Sequence, residues 1–208
     1  EPKTLEELCA FTGSLNVKNI SSVASAHSQA PLHYIAAVKG PGQVFSVSAS
    51  LTLKQVAQLS HFYKYIVIDL GNDLEDVQMS LLEACTAAIV VTTPEVLTIN
   101  QTLRLINELR GATLPAEMIQ IVVNRASQVG LAPQQIEQSF KKQLLGVIPQ
   151  DDVTTANALK RATPFAILAP QTPITSAYTE IVRKLTGGVL QKLKTLTRQN
   201  SLSFEKQE

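Results

Sequence analysis

The chain has 208 residues, of which 45% are hydrophobic and 17% charged, and its formal net charge is +1 at pH 7. This length is sufficient for one complete α/β domain with a sizeable core, and the composition excludes a chain that is disordered throughout. A net charge near zero gives no global field that would attract nucleic acid or an anionic membrane, so no specific nucleic acid is expected as a partner.

Cysteine content, hydropathy and the first residue indicate the compartment and the extent of the chain. Cys9 and Cys85 each lie in an apolar helical pattern without metal-ligand spacing, which is typical of core thiols in a reducing environment. No apolar run reaches the ~18 residues that a membrane span needs, and no signal peptide is recognisable, so we expect a cytoplasmic protein. Because the sequence begins with Glu1 rather than methionine, we also expect a piece of a longer protein.

The N-terminal part is predicted to contain two helices and a strand. Thr4 to Phe11 forms a short helix, in which Glu7 completes a capping box with the N-cap Thr4. After a loop, residues 32–38 form a strand, closed by the turn signal Lys39-Gly40-Pro41-Gly42. Helical spacing of apolar residues predicts the second helix over residues 51–63.

Residues 63–73 (YKYIVIDLGND) are predicted to form a strand buried on both faces, as in the middle of a parallel sheet. Asp69 falls at its carboxyl end, where ligands of open α/β sheets bind. An acidic residue followed by glycine, here Gly71, is the form of a Walker-B or switch-II segment in a nucleotide-binding P-loop fold. The alternative is that Asp69 only caps the next helix.

The rest of the chain alternates between helices and strands. Helices are predicted over residues 74–84, 98–110, 132–142, 152–161 and 174–185, strands over 87–93, 118–124 and 144–148, and a minor edge strand over 166–168. This order predicts an α/β fold with a mostly parallel, doubly wound sheet, right-handed crossovers and helices on both faces.

Polar and proline-containing motifs follow four successive strands. They are Asp69-Leu70-Gly71, Thr92-Thr93-Pro94-Glu95, Val123-Asn124-Arg125 and Ile148-Pro149-Gln150-Asp151. Together with Ala166-Ile167-Leu168-Ala169-Pro170 and Ser176-Ala177-Tyr178, this set resembles the MinD/ParA superfamily of deviant-Walker P-loop ATPases. Within it, the chain is most similar to the CpaE/TadZ branch, which positions pilus assembly and secretion machinery at the cell pole. The likeness extends from Pro2 to Leu185.

The resemblance implies roles on the phosphate side of a nucleotide site. Asp69 would be the Walker-B carboxylate, which is catalytic through its action on Mg²⁺, directly or through water, or on the attacking water. Gly71 would belong to switch II, which senses the γ-phosphate. The implied cofactors are therefore ATP and Mg²⁺.

It also implies an adenine-binding side. Asn124 would hydrogen-bond the adenine edge, because its amide offers a donor and an acceptor, and Arg125 would lie against the base. Pro149 to Asp151 would close over the adenine, with Asp151 as a second polar contact. The alternatives are that Asn124 bonds its own turn and that Pro149 to Asp151 is a simple entry turn to the next helix.

The sequence also departs from the family pattern. The Walker A loop, Lys-Gly-Gly-x-Gly-Lys-Thr/Ser, cradles the phosphates with its backbone N–H groups and lysines, and it is absent here. We interpret Lys39-Gly40-Pro41-Gly42 as a turn, since Pro41 lacks an N–H donor. We expect the first βαβ portion, with Walker A, to precede Glu1, and ATPase activity to depend on that loop. Arg161-Ala162-Thr163-Pro164 stands where relatives often carry a glycine before the proline.

By the same resemblance, residues 1–186 form a partial MinD/ParA-like ATPase domain and residues 187–208 a C-terminal tail. Residues 189–198 have leucines three apart among cations, which is typical of a short amphipathic helix on an anionic membrane; a solvated or partner-docking helix is the alternative.

The implied function is an ATP-binding and ATP-hydrolysing switch that forms a homodimer on nucleotide. It would position a cell-envelope apparatus for type IV/Flp pilus assembly or secretion, together with pilus or secretion assembly proteins. Its location would be cytoplasmic, with peripheral attachment at the inner membrane or cell pole.

Two other functions stay open. A degenerate, non-hydrolysing scaffold of the same fold would act as a polar localisation factor, and an upstream Walker A loop without its lysines would favour it. An unrelated doubly wound domain that binds another nucleotide or cofactor would carry Gly-x-Gly-x-x-Gly after its first strand. That motif does not occur in the sequence.

Overall fold

The computed structural model describes residues 3–37, 47–72, 74–112, 114–191 and 193. The chain divides into two compact units, residues 1–84 and 85–208. The turn predicted at residues 39–42 lies outside the described residues.

The described part of the first unit combines helices with a small antiparallel sheet. Its elements are α1 (Leu5–Ala10), β1 (Ser25–Ala26), β2 (His33–Tyr34), α2 (Ala49–Leu59) and α3 (Asp76–Ala84). The predicted capping box of α1 is confirmed, because Thr4 Oγ1 accepts the N–H of Glu7 while the Glu7 carboxylate accepts the N–H of Thr4. The apolar core of this unit is formed by Leu8, Leu15, Val23 and Leu59.

The strand predicted over residues 63–73 does not form. Residues 63–72 adopt neither helix nor strand, and Asp73 lies outside the described residues. The apolar side chains of Tyr65, Ile66, Val67 and Ile68 are 47, 37, 92 and 42% exposed. A strand is stable when neighbouring strands satisfy its backbone N–H and C=O groups. Among the described residues, no strand pairs with this segment, so the prediction is wrong for this chain.

The second unit contains a three-stranded parallel sheet with the order β3 (Ala88–Thr92), β4 (Ile119–Ala126) and β5 (Gly146–Pro149). The helices are α4 (Val96–Gly111), α5 (Pro133–Phe140), α6 (Asp152–Lys160), α7 (Phe165–Leu168) and α8 (Pro173–Lys184). α5 has proline in its first turn, as predicted.

Helices cover both faces of this sheet. On one face, Ile121 of β4 packs with Ile99 of α4 and Ile136 of α5. On the other face, Val122 packs with Ile181 of α8. The expectation of an α/β fold with a parallel sheet and helices on both faces is therefore confirmed.

Two details of the second unit differ from the predictions. The edge strand predicted over residues 166–168 is the short helix α7, since Pro164 starts a helical turn and so short an apolar run does not specify a period. β3 is buried on one face only. Val91 pairs with Val122, so Val91 and Ile89 of β3 lie on the face of the sheet that α8 covers at β4 and β5. At β3 this face is open, because Ile89 and Val91 are 45 and 59% exposed.

The start of the predicted tail packs against its own unit. After α8 the chain continues through a π-helical turn, Leu185–Val189, in which Val189 contacts the core cluster beneath α8. Leu193 is 4% exposed. Residues 192 and 194–208 lie outside the description. Within the part of the chain that the structure describes, no helix is both long and apolar enough to cross a membrane.

Candidate functional site

Four of the predicted site residues come together at the carboxyl ends of β4 and β5. Asn124 and Arg125 lie near the end of β4, Pro149 ends β5 and Asp151 caps α6. Ala126 of β4 pairs with Pro149, and the N–H of Gln150 donates to the carbonyl of Ala126 over 3.0 Å. Parallel strands present their carboxyl ends at one edge, which is where α/β sheets bind ligands.

The backbone at Asn124 and Arg125 is tightly turned. Arg125 has a left-handed φ of 56°, and its N–H donates to Asn124 Oδ1 over 3.0 Å. The strand register shifts between Val123 and Ala126, so the turn interrupts the ladder at this point. Because an N–H needs an acceptor, the oxygen of the Asn124 amide faces it and the Nδ2 group is left to donate to a ligand. The interpretation as a turn-bonding asparagine thus accounts for the oxygen but not for the NH₂ group.

Asp151 has a structural role as well. It is the N-cap of α6, and its Oδ1 accepts the N–H of Thr154 over 2.9 Å. Hydrogen bonds from the Thr154 side chain and backbone lower the pKa of the Asp151 carboxyl below its ordinary value. The carboxylate is therefore charged at neutral pH, and the entry turn to α6 is fixed whether or not Asp151 also contacts a ligand.

Sequence reasoning missed Asp152 at this edge, and it gave Gln150 no contact of its own within the predicted loop Pro149 to Asp151. The Arg125 guanidinium lies 3.5 Å from Asp152 Oδ1, and Gln150 Nε2 donates to Asp152 Oδ2 over 2.7 Å. The polar run after Pro149 was the available signal. The sequence alone does not reveal that Asp151 caps α6 while Asp152 contacts Arg125, which lies 27 positions earlier.

The loops that follow β3 and β4 are held together. The N–H of Leu131 donates to the carbonyl of Pro94 over 2.8 Å. Gly130 packs so closely on Pro94 that a Cβ atom there would lie 2.6 Å from the proline ring. At the end of β3, Thr102 Oγ1 donates to the buried Thr92 Oγ1 over 2.9 Å. This edge is thus built on fixed backbone.

The remaining predicted residues, Asp69 and Gly71, belong to the first unit. Asp69 is exposed, and its Oδ1 accepts the N–H of Gly71 over 3.1 Å in a tight turn. Gly71 has a φ of 69°, which a residue with a side chain rarely adopts. Among the described residues Oδ2 has no hydrogen-bond partner, so this oxygen is available to a cation or to its water shell. No cluster of three or more His, Cys, Asp or Glu side chains occurs in the described ranges.

Several solved structures with the same architecture are ParA and MinD ATPases. A ParA family ATPase from Chlorobium tepidum superimposes with a TM-score of 0.77 at 19% identity, covering 88% of this chain and 74% of its own. The MinC:MinD cell division complex of Aquifex aeolicus superimposes with a TM-score of 0.71 at 19% identity, and the match covers 88% of this chain and 73% of the chain in that complex. The chain has the ParA/MinD fold. The MinD protein of Pyrococcus horikoshii, solved with Mg-ADP, shares this P-loop NTPase fold with a TM-score of 0.63 at 18% identity, over 91% of this chain and 82% of its own.

Comparison of sequences gives one more relative. An uncharacterized ATP-binding protein of Methanocaldococcus jannaschii is 28% identical over 138 residues, which are 65% of this chain and 51% of that protein. The chain thus spans about half the length of this curated relative. None of the models of known protein families matches the chain.

Proposed function

We propose that this chain is part of an ATP-binding and ATP-hydrolysing switch protein. The observation that carries the proposal is the ligand-competent edge at the carboxyl ends of β4 and β5, in a ParA/MinD fold. An amide donor, a guanidinium and a rigid proline turn there offer the groups that an adenine base needs.

On the base side, Asn124 donates through Nδ2 and Arg125 provides a planar cation that can lie against a purine. Pro149 is in the turn that leads into α6, and Asp151 fixes that turn through its cap. We expect these residues to bind and orient the base.

On the phosphate side, Asp69 and Gly71 are the residues that this chain contributes. Mg²⁺, when bound with ATP, neutralises the charge that develops on the phosphates. Asp69 Oδ2 would accept a hydrogen bond from a water of the Mg²⁺ shell or from the attacking water, while Gly71, with its φ of 69°, would let the backbone approach the γ-phosphate. We propose that a Walker A loop in the longer natural protein supplies the main phosphate contacts, since this sequence contains none.

The finer part of the proposal is dimerisation. Leu97, Val129 and Val153 are 69, 97 and 73% exposed, and each follows the carboxyl end of a different strand. Large apolar side chains around a ligand edge support a surface that a second copy covers. We propose that nucleotide at this edge completes the surface and that the dimer positions a pilus or secretion apparatus at the cell pole through assembly proteins. That last step rests on the motif resemblance to the CpaE/TadZ branch.

The packing of the first residues of the tail supports docking on the second unit more than contact with a membrane. Val189 packs against the core cluster beneath α8, and Leu193 is almost fully buried. Two apolar side chains that a membrane-binding helix would present are therefore already covered.

The test is a titration of the natural full-length protein with a fluorescent ATP analogue and Mg²⁺, followed by an ATP turnover assay. We expect Asp69→Asn to bind the analogue but to lose turnover by about 10²-fold or more, because a removed carboxylate leaves the reacting water unpositioned. Glu83→Gln is the matched control, as it removes an exposed carboxylate of α3 in the same unit and should leave turnover unchanged.

The second candidate is the non-hydrolysing scaffold, and it is favoured by the lack of a glycine in Arg161-Ala162-Thr163-Pro164, where relatives often carry one. In that case the natural protein would bind neither the analogue nor ATP and would still form its dimer. If the natural protein and Asp69→Asn both bind the analogue equally well and neither turns over ATP, the protein would be the same scaffold with a retained nucleotide.

A further inference from the structure

Two residues at the carboxyl edge of the second unit, Asp152 of α6 and Gln150 of the connecting turn, have no role in the function proposed so far. They form a network with Arg125 of β4. Asp152 Oδ1 lies 3.5 Å from Arg125 Nη2, and Asp152 Oδ2 accepts a hydrogen bond of 2.7 Å from Gln150 Nε2. Both oxygens of the carboxylate are therefore engaged.

The position of Asp152 separates it from the other carboxylate of the turn. Asp151 is the residue that caps α6, through the N–H of Thr154, while Asp152 is already inside the helix. Asp152 reaches across the edge to β4 instead. Asp152 therefore has a contact inside the chain that does not depend on a ligand.

The backbone of Arg125 is fixed independently of its side chain. Its φ of 56° and the bond from its N–H to Asn124 Oδ1 hold the Cα–Cβ direction. The side chain, which is 58% exposed, would otherwise sample many rotamers.

We propose that Asp152, supported by Gln150, is a positioning residue that holds the Arg125 guanidinium against the nucleobase. This inference rests on the proposed nucleotide site. The contact with the carboxylate orients the guanidinium, which stays protonated, so that its planar face is free to lie against the base. A guanidinium ordered before binding also loses less conformational entropy when the base arrives.

The experiment measures dissociation constants of ATP and ADP for the natural full-length protein and for Asp152→Asn, Arg125→Ala and the double variant. We expect Asp152→Asn to weaken ATP and ADP binding by the same factor, about two- to five-fold, because an exposed ion pair of this kind contributes little more. The double variant should bind no more weakly than Arg125→Ala, since Asp152 acts through Arg125. Asp152→Glu should restore part of the affinity.

Two controls separate positioning from a general effect on the helix. Glu180→Gln removes an exposed ion pair with Arg183 on α8 of the same unit and should leave both dissociation constants unchanged. Raising the salt concentration should bring the dissociation constant of Asp152→Asn closer to that of the unchanged protein, because salt screens exposed ion pairs. A merely structural role of Asp152 would lower the unfolding temperature of Asp152→Asn and leave both dissociation constants unchanged.

The outcomes are distinguishable from those of the proposed function. If the natural protein binds neither nucleotide, both proposals fail. If it binds and Asp152→Asn binds equally well, only the positioning role is overturned. Additive losses in the double variant, or a change for ATP that differs from the change for ADP, would also overturn it, because Asp152 would then act independently or Arg125 would serve the phosphates.

Discussion

At the scale of single residues, Ala162 is held in a conformation that suits another amino acid. It follows α6 with a φ of 47°. Its N–H donates to the carbonyl of Leu159, and the N–H of Thr163 donates to that of Ala158, which is the hydrogen-bond pattern of a Schellman motif. Glycine is the usual residue at this position, because a Cβ atom there is sterically unfavourable.

We therefore expect Ala162→Gly to raise the free energy of unfolding by about 0.5–1 kcal/mol. Glycine removes the steric cost that alanine has in the left-handed conformation, and its greater conformational entropy in the unfolded state offsets this gain only in part. Ala156→Gly makes the same change at an exposed position inside α6 and should lower stability by about 1 kcal/mol. Urea denaturation measures both. Equal signs for the two variants would contradict the left-handed assignment.

At the scale of elements, the contact between β5 and α8 depends on a missing side chain. Gly146 begins β5, and a Cβ atom there would clash with Ile181 Cγ1 and lie 2.7 Å from Ile181 Cδ1. Ile181 belongs to the core cluster that joins α8 to the sheet, so it cannot move aside freely.

Gly146→Ala should accordingly destabilise the chain by about 1–3 kcal/mol through overpacking. The comparison is Gly111→Ala at the end of α4, where a Cβ atom would meet nothing within 4 Å. The Gly111→Ala substitution should leave the free energy of unfolding unchanged or raise it by up to about 1 kcal/mol, since alanine favours the helix. Thermal unfolding of the two variants side by side checks the expectation, and a Gly146→Ala protein as stable as the parent would refute it.

Elements with a clear period were predictable from the sequence, and those that depend on distant neighbours were not. The stripe of Ile99, Leu103 and Ile106 predicted α4, and the run at residues 118–124 predicted β4. An apolar run also predicted a strand over residues 63–73, but burial of a strand needs partners that its own residues do not reveal.

The candidate site shows the same limit. The motifs identified Asn124, Arg125, Pro149 and Asp151 as neighbours at a sheet edge, because parallel strands end together. They did not reveal the contact from Arg125 to Asp152, which depends on the rotamers and on the left-handed turn at Arg125.

At the scale of the whole molecule, apolar surface is left open in the first unit around Val67, which is 92% exposed. We expect Val67→Lys to change the unfolding free energy of this chain by less than about 0.5 kcal/mol, as exposed substitutions do. Leu8→Ala in the same unit removes a side chain that is 1% exposed and should cost about 2–5 kcal/mol.

Guanidinium denaturation followed by a probe in the first unit compares these two variants. A large loss for Val67→Lys would mean that the segment is covered in solution.

The bare segment at residues 65–70 also has a consequence for handling the isolated chain. Its sequence, YIVIDL, is rich in β-branched and aromatic residues, contains neither proline nor glycine and carries a single charge. Such a window readily joins identical copies into intermolecular sheets, and a molecule with a net charge of +1 has little electrostatic repulsion to keep those copies apart. The isolated polypeptide should therefore lose solubility as its concentration rises, and a lysine introduced into this window should delay precipitation.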